Sequence, residues 1–281
     1  MAKILDGKSC AQKILEQLKK EVQSSNIQPG LAALRVGNDT ASKIYVSRKI
    51  AACAEVGFYT KTIELPEDCS EEMLLAAIQK LNQDRKIHGI LLQWLLSKHI
   101  SEQKMIEATD MKKDVDGFHP LHRGQLVQGN PLFIPCTPQG ILRLLKENKI
   151  PVAGKNVVIV GRGLTVGKPL ASLMLNEDAT VTVCHSKTER LADYTRKADI
   201  LVVATGKVGT ITEDMVTEKT IIIDVGISRR NGKICGDVTD KAKQKSAAYT
   251  PVPGGVGPMT IAMLLQNTLK AALMSIGERE K

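Results

Sequence analysis

The sequence is poor in the aromatic residues on which the binding of single-stranded nucleic acid depends. Only 3% of its 281 residues are Phe, Trp or Tyr, although the formal net charge is +9. Proteins that bind single strands interleave basic side chains with aromatic rings that stack on the bases, whereas the basic residues here are scattered along predicted helices. An anionic small substrate together with an anionic cofactor explains the charge at least as well, so we expect no nucleic-acid partner.

Cysteine pairs with a metal-binding or redox spacing are absent from the sequence as well. The six cysteines include no C-x-x-C and no paired Cys/His pattern, and Cys53, Cys136 and Cys184 lie in or beside apolar stretches. We therefore expect reduced thiols, no metal site and a cytoplasmic location. The first residues contain no signal-peptide apolar region and no run approaches membrane-spanning length, so we expect no membrane partner.

Alternating strand and helix patterns predict an α/β fold with two domains. The first block is predicted to contain helices at 10–22, 41–56, 71–83 and 102–108 and strands at 31–36, 59–65 and 89–96. A loop-rich segment follows at 112–138, and a helix is predicted at 139–148. The second block then contains buried strands at 157–160, 180–184, 200–204 and 221–225. Asn231 and Gly232 mark a tight turn between two short extended pieces. A second Gly/Pro loop, 250–260, precedes a final apolar helix at 261–274.

The most informative feature of the chain is a glycine-rich turn between a predicted strand and a predicted helix. The apolar run 157–160 breaks into Gly161, Gly163 and Gly167, and Pro169 then opens a helix at a position where a missing N–H costs nothing. Glycines let the backbone approach a pyrophosphate, and the free N–H groups and the dipole of the helix hold its charge. The spacing G-x-G-x-x-x-G is one residue longer than the common dinucleotide fingerprint, so a turn that merely joins a strand to a helix stays open as the alternative.

The end of the next strand in this block favours NADP over NAD. An NAD-binding fold places Asp or Glu about twenty residues after the first glycine, where the carboxylate binds the ribose 2′-hydroxyl. This chain has His185, Ser186, Lys187 and Thr188 there, and Arg162 lies within the glycine turn. Cationic and hydroxyl side chains suit the 2′-phosphate of NADP. The alternative interpretation of Lys187 and Thr188 is that they are solvated side chains at the end of a strand and bind no cofactor.

The first block carries a candidate proton-transfer pair on its second predicted helix. Tyr45 and Lys49 are spaced i, i+4 and share one face of a helix that we expect to pack through Ile44, Ile50 and Ala54. A lysine withdrawn from water releases its proton more easily, which permits proton transfer near neutral pH. A solvated lysine above a half-buried tyrosine is the alternative.

Other polar side chains interrupt or follow the last apolar strand of the first block. Gln93 lies inside that apolar run, and a lone buried amide needs a hydrogen-bond partner, which a strand end facing a cleft can provide. Asp114 and Asp116, two apart in a turn-prone stretch, could bind a polar ligand edge, bind a metal or cap a turn. His119 and His122 have no further ligand pattern near them, which disfavours the metal.

These residues together resemble the bifunctional methylenetetrahydrofolate dehydrogenase/methenyltetrahydrofolate cyclohydrolase family of one-carbon metabolism, over essentially the whole chain. The motifs that carry the resemblance are VGNDTASKIYV at 36–46 with Lys49, GILLQ at 89–93, KDVDGFHP at 113–120, FIPCTP at 133–138, the glycine turn at 161–169 and TPVPGGVGPMT at 250–260. We accordingly predict a folate-binding catalytic domain with a parallel-sheet α/β fold at 1–138, completed by the C-terminal helix at 259–281. An NADP-binding Rossmann-type domain at 139–258 is inserted into it.

The resemblance implies the reaction and the residues that carry it. Members of this family oxidise 5,10-methylenetetrahydrofolate to the 5,10-methenyl cation with NADP and hydrolyse the cation to 10-formyltetrahydrofolate in the same cleft, and the resemblance also implies a homodimer and a role in purine biosynthesis. The implied catalytic residues are Lys49, Tyr45 and Gln93, and the implied substrate-binding residues are Tyr45, Asp116, Pro253, Gly254 and Gly255. The implied cofactor-binding residues are Thr137, Gly161, Arg162, Gly163, Gly167, Ser186 and Ile227.

The resemblance gives four of these residues specific roles. Lys49 would assist proton transfer between the attacking water and the folate nitrogen in the hydrolytic step, and Gln93 would contact Lys49. Tyr45 would stack against or hydrogen-bond the folate. Asp116 would accept hydrogen bonds from the N–H donors of the pterin, a pairing that suits a carboxylate.

The chain departs from the family pattern in two places. Many members have Ser after the arginine of the glycine turn, where it helps to hold the 2′-phosphate, and this chain has Gly163. The preference for NADP over NAD then depends more on Arg162 and Ser186. Use of both NAD and NADP is therefore an open alternative. After Gln93 the family commonly reads Leu-Pro-Leu-Pro, whereas residues 94–97 here are Trp-Leu-Leu-Ser, so folate affinity or loop rigidity is expected to differ.

Two other functions stay open from the sequence. An NADP-dependent dehydrogenase of another small substrate would lack the hydrolase step and the requirement for Asp116. A basic, non-catalytic nucleic-acid binder would bind DNA or RNA in a strongly salt-dependent way and would show no NADP-dependent turnover.

Overall fold

The structure is a computed structural model that describes residues 2–25, 27–93, 99–230 and 232–277. Its strands are β1 (Lys3–Ile4), β2 (Gly30–Val36), β3 (Tyr59–Leu65), β4 (Gly89–Leu92), β5 (Asn156–Val160), β6 (Thr180–Cys184), β7 (Ile200–Val203), β8 (Ile221–Asp224), β9 (Ser228–Arg230), β10 (Lys233–Cys235) and β11 (Ala248–Tyr249). Its helices are α1 (Gly7–Ser24), α2 (Thr40–Val56), α3 (Glu71–Gln83), α4 (Glu102–Ala108), α5 (Pro120–Val127), α6 (Cys136–Glu147), α7 (Gly167–Asn176), α8 (Leu191–Thr195), α9 (Asp240–Lys245) and α10 (Val256–Gly277), with a 3₁₀ turn at Glu213–Met215.

The described chain divides into two compact units, each with its own parallel sheet, and the predicted α/β class is confirmed. The first unit is formed from described residues within Met1–Gln12, Leu126–Asn130 and Pro135–Thr260. The second unit is formed from described residues within Lys13–Gln125, Pro131–Ile134 and Ile261–Lys281. The predicted domain boundaries stay a prediction. The structure adds that β1, which the sequence assigned to the N-terminal domain, pairs with β11 in the first unit.

The sheet of the first unit has the strand order β1-β11-β8-β7-β5-β6, and each neighbouring pair is parallel. Its central strands are runs of β-branched and aliphatic residues because helices cover a parallel sheet on both faces. Val158, Val160, Leu201 and Val203 are almost fully buried and form one hydrophobic cluster with Ile222. The predicted turn at Asn231 and Gly232 falls between β9 and β10, which pair antiparallel, although Asn231 lies outside the described residues.

The sheet of the second unit has the order β3-β2-β4, also parallel throughout. The central strand β2 is buried along its whole length. Helix α3 begins after Ser70, whose side chain accepts a hydrogen bond from the N–H of Met73, and it buries Leu74, Ile78 and Leu81. The strand predicted at 89–96 is observed as β4 up to Leu92, and residues 94–96 lie outside the described residues.

Three helices begin in segments that the sequence indicated as loop. Helix α5 lies inside the predicted loop 112–138, and α6 begins at Cys136 rather than at Gln139. Helix α10 begins at Val256, with Pro258 in its first turn. Proline and glycine suggested loops there, yet proline is well tolerated in a first turn because those N–H groups have no partner within the helix.

Helix α10 corrects the expectation that no run approaches membrane-spanning length. Its 22 residues are long and apolar enough to cross a membrane by length and composition alone, and 56% of its most apolar stretch is buried inside the protein. A core helix meets the same criterion. Buried Asn267 of α10 donates its side-chain N–H groups to the carbonyls of Val115 (2.8 Å) and Ile134 (3.3 Å), so the part of this helix that follows Thr260 packs within the second unit.

Replacing Asn267 by Leu tests that packing. Asn267→Leu leaves two carbonyl groups without these donors, so we expect the free energy of unfolding to fall by about 1–3 kcal/mol. Gln266→Leu is the matched control, because it makes the same amide-to-leucine change at the neighbouring, half-buried position of the same helix. Urea unfolding of both variants measures the difference, and equal stabilities would contradict the assigned packing.

Candidate active site

In the first unit, the glycine turn after β5 is too tight for other side chains at two positions. Gly161 has φ +126°, and a Cβ there would lie 2.3 Å from the carbonyl oxygen of Ala204. Gly167 begins α7, and a Cβ there would lie 2.0 Å from the carbonyl oxygen of Gly161. Both glycines are therefore required by close packing, because neighbouring carbonyl oxygens fill the space where a side chain would stand and the turn brings the strand end and the helix start together.

The same turn places the start of a ten-residue helix next to the strand end. The N–H of Gly161 donates to the carbonyl of Cys184 at 2.8 Å, and the first hydrogen bond of the regular helical pattern runs from the N–H of Leu170 to Val166 at 2.8 Å. Pro169 precedes Leu170 and has no N–H to leave unpaired. Free N–H groups and the positive end of the helix dipole suit an anion. The third glycine, Gly163, is different because a Cβ there would meet only the hydroxyl oxygen of Thr165, at 3.9 Å.

The carboxyl end of β6 lies beside this turn, since β5 and β6 pair in parallel up to Val160 and Cys184. The N–H of His185 donates to Thr188 Oγ1 at 2.9 Å, and this turn leaves Ser186 and Lys187 exposed. Arg162 is exposed as well. Hydroxyl and cationic groups at adjacent strand ends fit a 2′-phosphate, so the donors present match NADP.

The remaining predicted cofactor residues lie elsewhere in the first unit. Ile227 follows β8 and is 48% exposed. Thr137, in the first turn of α6, shares a hydrogen bond between hydroxyl groups with Thr260 at 3.0 Å. Thus Gly161, Arg162, Gly163 and Gly167 form one turn, Ser186 and Ile227 follow strands of the same sheet, and Thr137 lies on a helix.

The three predicted substrate-binding residues of the C-terminal loop also belong to the first unit. Gly254 has φ +107° and its carbonyl accepts the N–H of Lys8 at 2.9 Å. Gly255 is buried, and a Cβ there would lie 2.6 Å from the carbonyl oxygen of Pro251. Pro253 is exposed. The loop is thus held to the start of the chain while Pro253 faces solvent.

In the second unit, Tyr45 and Lys49 lie one turn apart on α2, and both are half-buried. The expected packing of this helix through Ile44 and Ala54 is wrong, because both are exposed. Its buried side chains include Val46, Cys53 and Val56. Ile50, the third residue of that prediction, is half-buried. Single exposed aliphatic side chains such as Ile44 are common on protein surfaces, so they are weak guides to the packed face of a helix.

Gln93 follows β4 directly, and its backbone N–H donates to the carbonyl of Leu34 at 2.9 Å. Its side-chain oxygen, Oε1, is buried and accepts no hydrogen bond from the described residues. The predicted contact with Lys49 therefore stays a prediction. A buried amide oxygen without a partner is the kind of group that a ligand can satisfy. The departure from the family at 94–97 lies outside the described residues.

Asp114 and Asp116 have different surroundings. Asp114 is 6% exposed and its Oδ2 accepts the N–H of His119 at 2.6 Å, so Asp114 caps the turn. Burial raises the pKa of Asp114 to about 6, against the lowering effect of that hydrogen bond. Asp116 is half-buried and lines a narrow pocket with Asp114, Thr109 and Phe118. Of the three alternatives left open, turn capping describes Asp114, and Asp116 is the carboxylate that lines the pocket with it.

The histidines near this turn do not form a metal cluster. His122 is fully buried, and burial lowers its pKa. Its Nε2 lies 2.8 Å from the carbonyl oxygen of Met111 and 3.9 Å from Asp114 Oδ2. Across the part of the chain that the structure describes, no three His, Cys, Asp or Glu side chains come together as a metal site would need.

The first unit also contains a group of buried charged residues that was not predicted from the sequence, namely Asp224, Asp237 and Lys243. Asp224 ends the apolar run of β8, and Asp237 follows Gly236. A carboxylate at the end of a buried strand was the available signal for Asp224. No local pattern marks Asp237 or Lys243, because their partners are distant in sequence.

The parallel sheet, the close-packed glycine turn and the helix start define a dinucleotide-binding α/β protein with a second α/β unit. Models of two domains match the chain: the NAD(P)-binding domain of tetrahydrofolate dehydrogenase/cyclohydrolase over residues 135–276, and the catalytic domain of the same enzymes over residues 5–116. The chain belongs to the tetrahydrofolate dehydrogenase/cyclohydrolase family.

Relatives resemble the chain over nearly its whole length. The bifunctional protein FolD of Methanoculleus marisnigri is 52% identical over 271 residues, which are 96% of each chain. The crystal structure of the bifunctional enzyme FolD from Campylobacter jejuni has a TM-score of 0.95 at 46% identity and covers 98% of this chain and 100% of that one. The Trypanosoma brucei FolD structure, complexed with NADP cofactor and inhibitor, has a TM-score of 0.93 at 37% identity and covers 98% of each chain.

The glycine turn predicts opposite outcomes for two alanine substitutions. Gly161→Ala should raise the Kd for NADP by about tenfold or more, because the new Cβ collides with the Ala204 carbonyl at a positive φ. Gly163→Ala should change the Kd by less than about threefold, because its Cβ enters open space. Isothermal titration calorimetry compares the two, and similar losses in both variants would refute the close packing of the turn.

Burial of Asp114 predicts a pH-dependent stability. The unfolded chain loses this proton near 3.8 and the folded chain near 6, so the folded state binds more protons between these values. Its contribution to stability therefore falls as pH rises through this window. Asp114→Asn cannot ionise, so its free energy of unfolding relative to the native chain should rise by about 2–3 kcal/mol between pH 4 and pH 7. Urea unfolding at several pH values tests this, and a difference that stays constant with pH would contradict it.

Proposed function

We propose that this chain oxidises 5,10-methylenetetrahydrofolate to the 5,10-methenyl cation with NADP and then hydrolyses the cation to 10-formyltetrahydrofolate. The observation that carries the proposal is the close-packed glycine turn from Gly161 to Gly167 at the start of a helix, in a chain that also has Lys49, Gln93 and Asp116. The turn supports dinucleotide binding, and membership of the family supports the folate chemistry.

When bound, NADP would accept a hydride from the methylene carbon of the substrate. The residues of the first unit that we propose to hold it are Arg162 and Ser186 for the 2′-phosphate and the backbone of the turn at Gly161 and Gly167 for the pyrophosphate. Gly163 contributes no side chain, so the 2′-phosphate depends on its neighbours. Thr137 and Ile227 are proposed to contact the same cofactor.

The hydrolytic step needs a positioned water and a group that moves a proton. The methenyl carbon is already electrophilic, so water adds to it, the C–N5 bond breaks, and the products are 10-formyltetrahydrofolate and a proton. We propose that Lys49 moves the proton between the water and the folate nitrogen. Gln93, whose side-chain oxygen is buried without a partner among the described residues, is proposed to contact Lys49.

Recognition of the substrate is proposed to depend on carboxylate and ring contacts. Asp116, half-buried in a narrow pocket, would accept hydrogen bonds from the pterin N–H groups. Tyr45 would stack against or hydrogen-bond the folate. Pro253, Gly254 and Gly255 are proposed to contact substrate through a loop that is held to Lys8.

The alternative, an NADP-dependent dehydrogenase of another substrate without hydrolase activity, is disfavoured. The relative from Methanoculleus marisnigri is called bifunctional, and 96% of each chain aligns. We also propose that the protein acts in the cytoplasm as a homodimer and supplies one-carbon units for purine biosynthesis. Family membership supports these assignments.

Lys49→Met tests the proposed hydrolytic role. The cyclohydrolase rate, measured by the decay of added 5,10-methenyltetrahydrofolate without NADP, should fall by about 100-fold or more, because the proton-transfer group is lost. The Kd for NADP should stay unchanged, since the proposed NADP residues belong to the first unit.

Lys43→Met is the matched control because Lys43 is an exposed lysine on the same helix. Its cyclohydrolase rate should stay within about threefold of the native rate, as expected for a surface substitution. If Lys49→Met keeps the native rate, or if both variants lose it equally, the role assigned to Lys49 is wrong.

A further inference from the structure

Asp237 is a fully buried carboxylate that holds the loop after β7. Its Oδ2 accepts hydrogen bonds from the N–H of Thr205 at 2.6 Å, the hydroxyl of Thr205 at 2.9 Å and the N–H of Gly206 at 2.9 Å. Three donors on one carboxylate oxygen form a strong, directional set of hydrogen bonds, which we call the clamp. The clamp fixes residues 205–206 at the carboxyl end of the strand.

A second buried carboxylate holds Asp237 in turn. Asp224, at the end of β8, accepts the N–H of Asp237 on Oδ1 at 2.9 Å and the N–H of Val238 on Oδ2 at 3.2 Å. Lys243 pairs with Asp224 Oδ2 at 2.8 Å, and both side chains are almost fully buried. The loop that carries Asp237 is therefore fixed to the end of the neighbouring strand.

Two glycines leave room for these carboxylates. A Cβ on Gly226 would lie 2.0 Å from Asp237 Oδ1, and a Cβ on Gly236 would lie 2.0 Å from Asp224 Oδ2. Asp237 Oδ1 is buried and has no hydrogen-bond partner among the described residues. Burying a charged group with one oxygen unsatisfied costs stability, so stability alone is a poor explanation for this arrangement.

The clamped loop adjoins the glycine turn of the dinucleotide site. Ala204 directly precedes Thr205 and Gly206, and its carbonyl oxygen lies close to Gly161. A Cβ on Gly161 would lie 2.3 Å from that oxygen. The N–H of Ala204 donates to the carbonyl of Val160 at 2.8 Å. Residues 204–206 thus connect Asp237 to the turn that starts at Gly161.

We propose that Asp237 is a positioning residue for the dinucleotide, which it affects through the loop 204–206 and not by contact. This inference rests on the proposed NADP-dependent function. It predicts that loss of the clamp weakens NADP binding and the dehydrogenase step while the hydrolase step, which consumes no NADP, continues. A residue with only a structural role would lower both activities together.

The test compares Asp237→Ala and Asp237→Asn with the native protein. Calorimetry measures the Kd for NADP, and two separate assays measure NADP-dependent oxidation and the hydrolysis of added 5,10-methenyltetrahydrofolate without NADP. Asp237→Ala should raise the Kd and the KM for NADP by about tenfold or more, since charge-assisted hydrogen bonds to the loop are lost. Asp237→Asn keeps one acceptor oxygen and should give a smaller rise. Hydrolysis should stay within about twofold of the native rate in both.

Asp199→Asn is the matched control. Asp199 Oδ2 accepts one backbone N–H, from Asn156 at 2.9 Å, and precedes β7 at the opposite end of the same sheet. This variant should leave the Kd for NADP unchanged even where it lowers the melting temperature.

The outcomes separate this inference from the proposed function. Native NADP affinity in Asp237→Ala, or equal loss of both activities in Asp237→Asn, would overturn the positioning role. Absence of NADP-dependent turnover in the native protein would instead overturn the proposed function on which the inference rests.

Discussion

Parallel strand pairing is the constraint on which the candidate site depends. The six-stranded sheet of the first unit and the three-stranded sheet of the second unit are parallel between all paired neighbours, so the carboxyl ends of their strands share one edge of each sheet. Chemistry-bearing residues follow those ends in both units: Gln93 after β4, Gly161 after β5, Ser186 after β6, Thr205 after β7 and Ile227 after β8. Residues far apart in the sequence are thereby brought to one side of each sheet.

Close packing at that edge decides which residues can vary. Gly161 and Gly167 are confined by backbone carbonyl oxygens, which cannot move without displacing a strand end or the turn itself. Gly163, in the same motif, faces open space. The buried carboxylates of Asp224 and Asp237 also require glycine neighbours, because a Cβ on Gly236 or Gly226 would collide with them. A glycine motif therefore combines required positions with free ones, and only the contacts tell them apart.

The sequence predicted those parts of the fold that depend on local patterns. Strands Tyr59–Leu65 and Thr180–Cys184 and helix Glu71–Gln83 begin and end as predicted, because β-branched runs and capping residues mark them. Helix α5 was missed because its proline and glycine suggested a loop. The clamp at Asp237 joins segments 31 and 32 residues apart. No local signal reports such contacts, just as none distinguishes Gly161 from Gly163.

The most direct test of the whole account is an initial-rate assay of the native protein with 5,10-methylenetetrahydrofolate. It compares NADP⁺ with NAD⁺ and resolves the methenyl cation from 10-formyltetrahydrofolate. The account predicts turnover that is faster with NADP⁺ and that ends in 10-formyltetrahydrofolate with little free methenyl cation. Absence of turnover with either cofactor would contradict it.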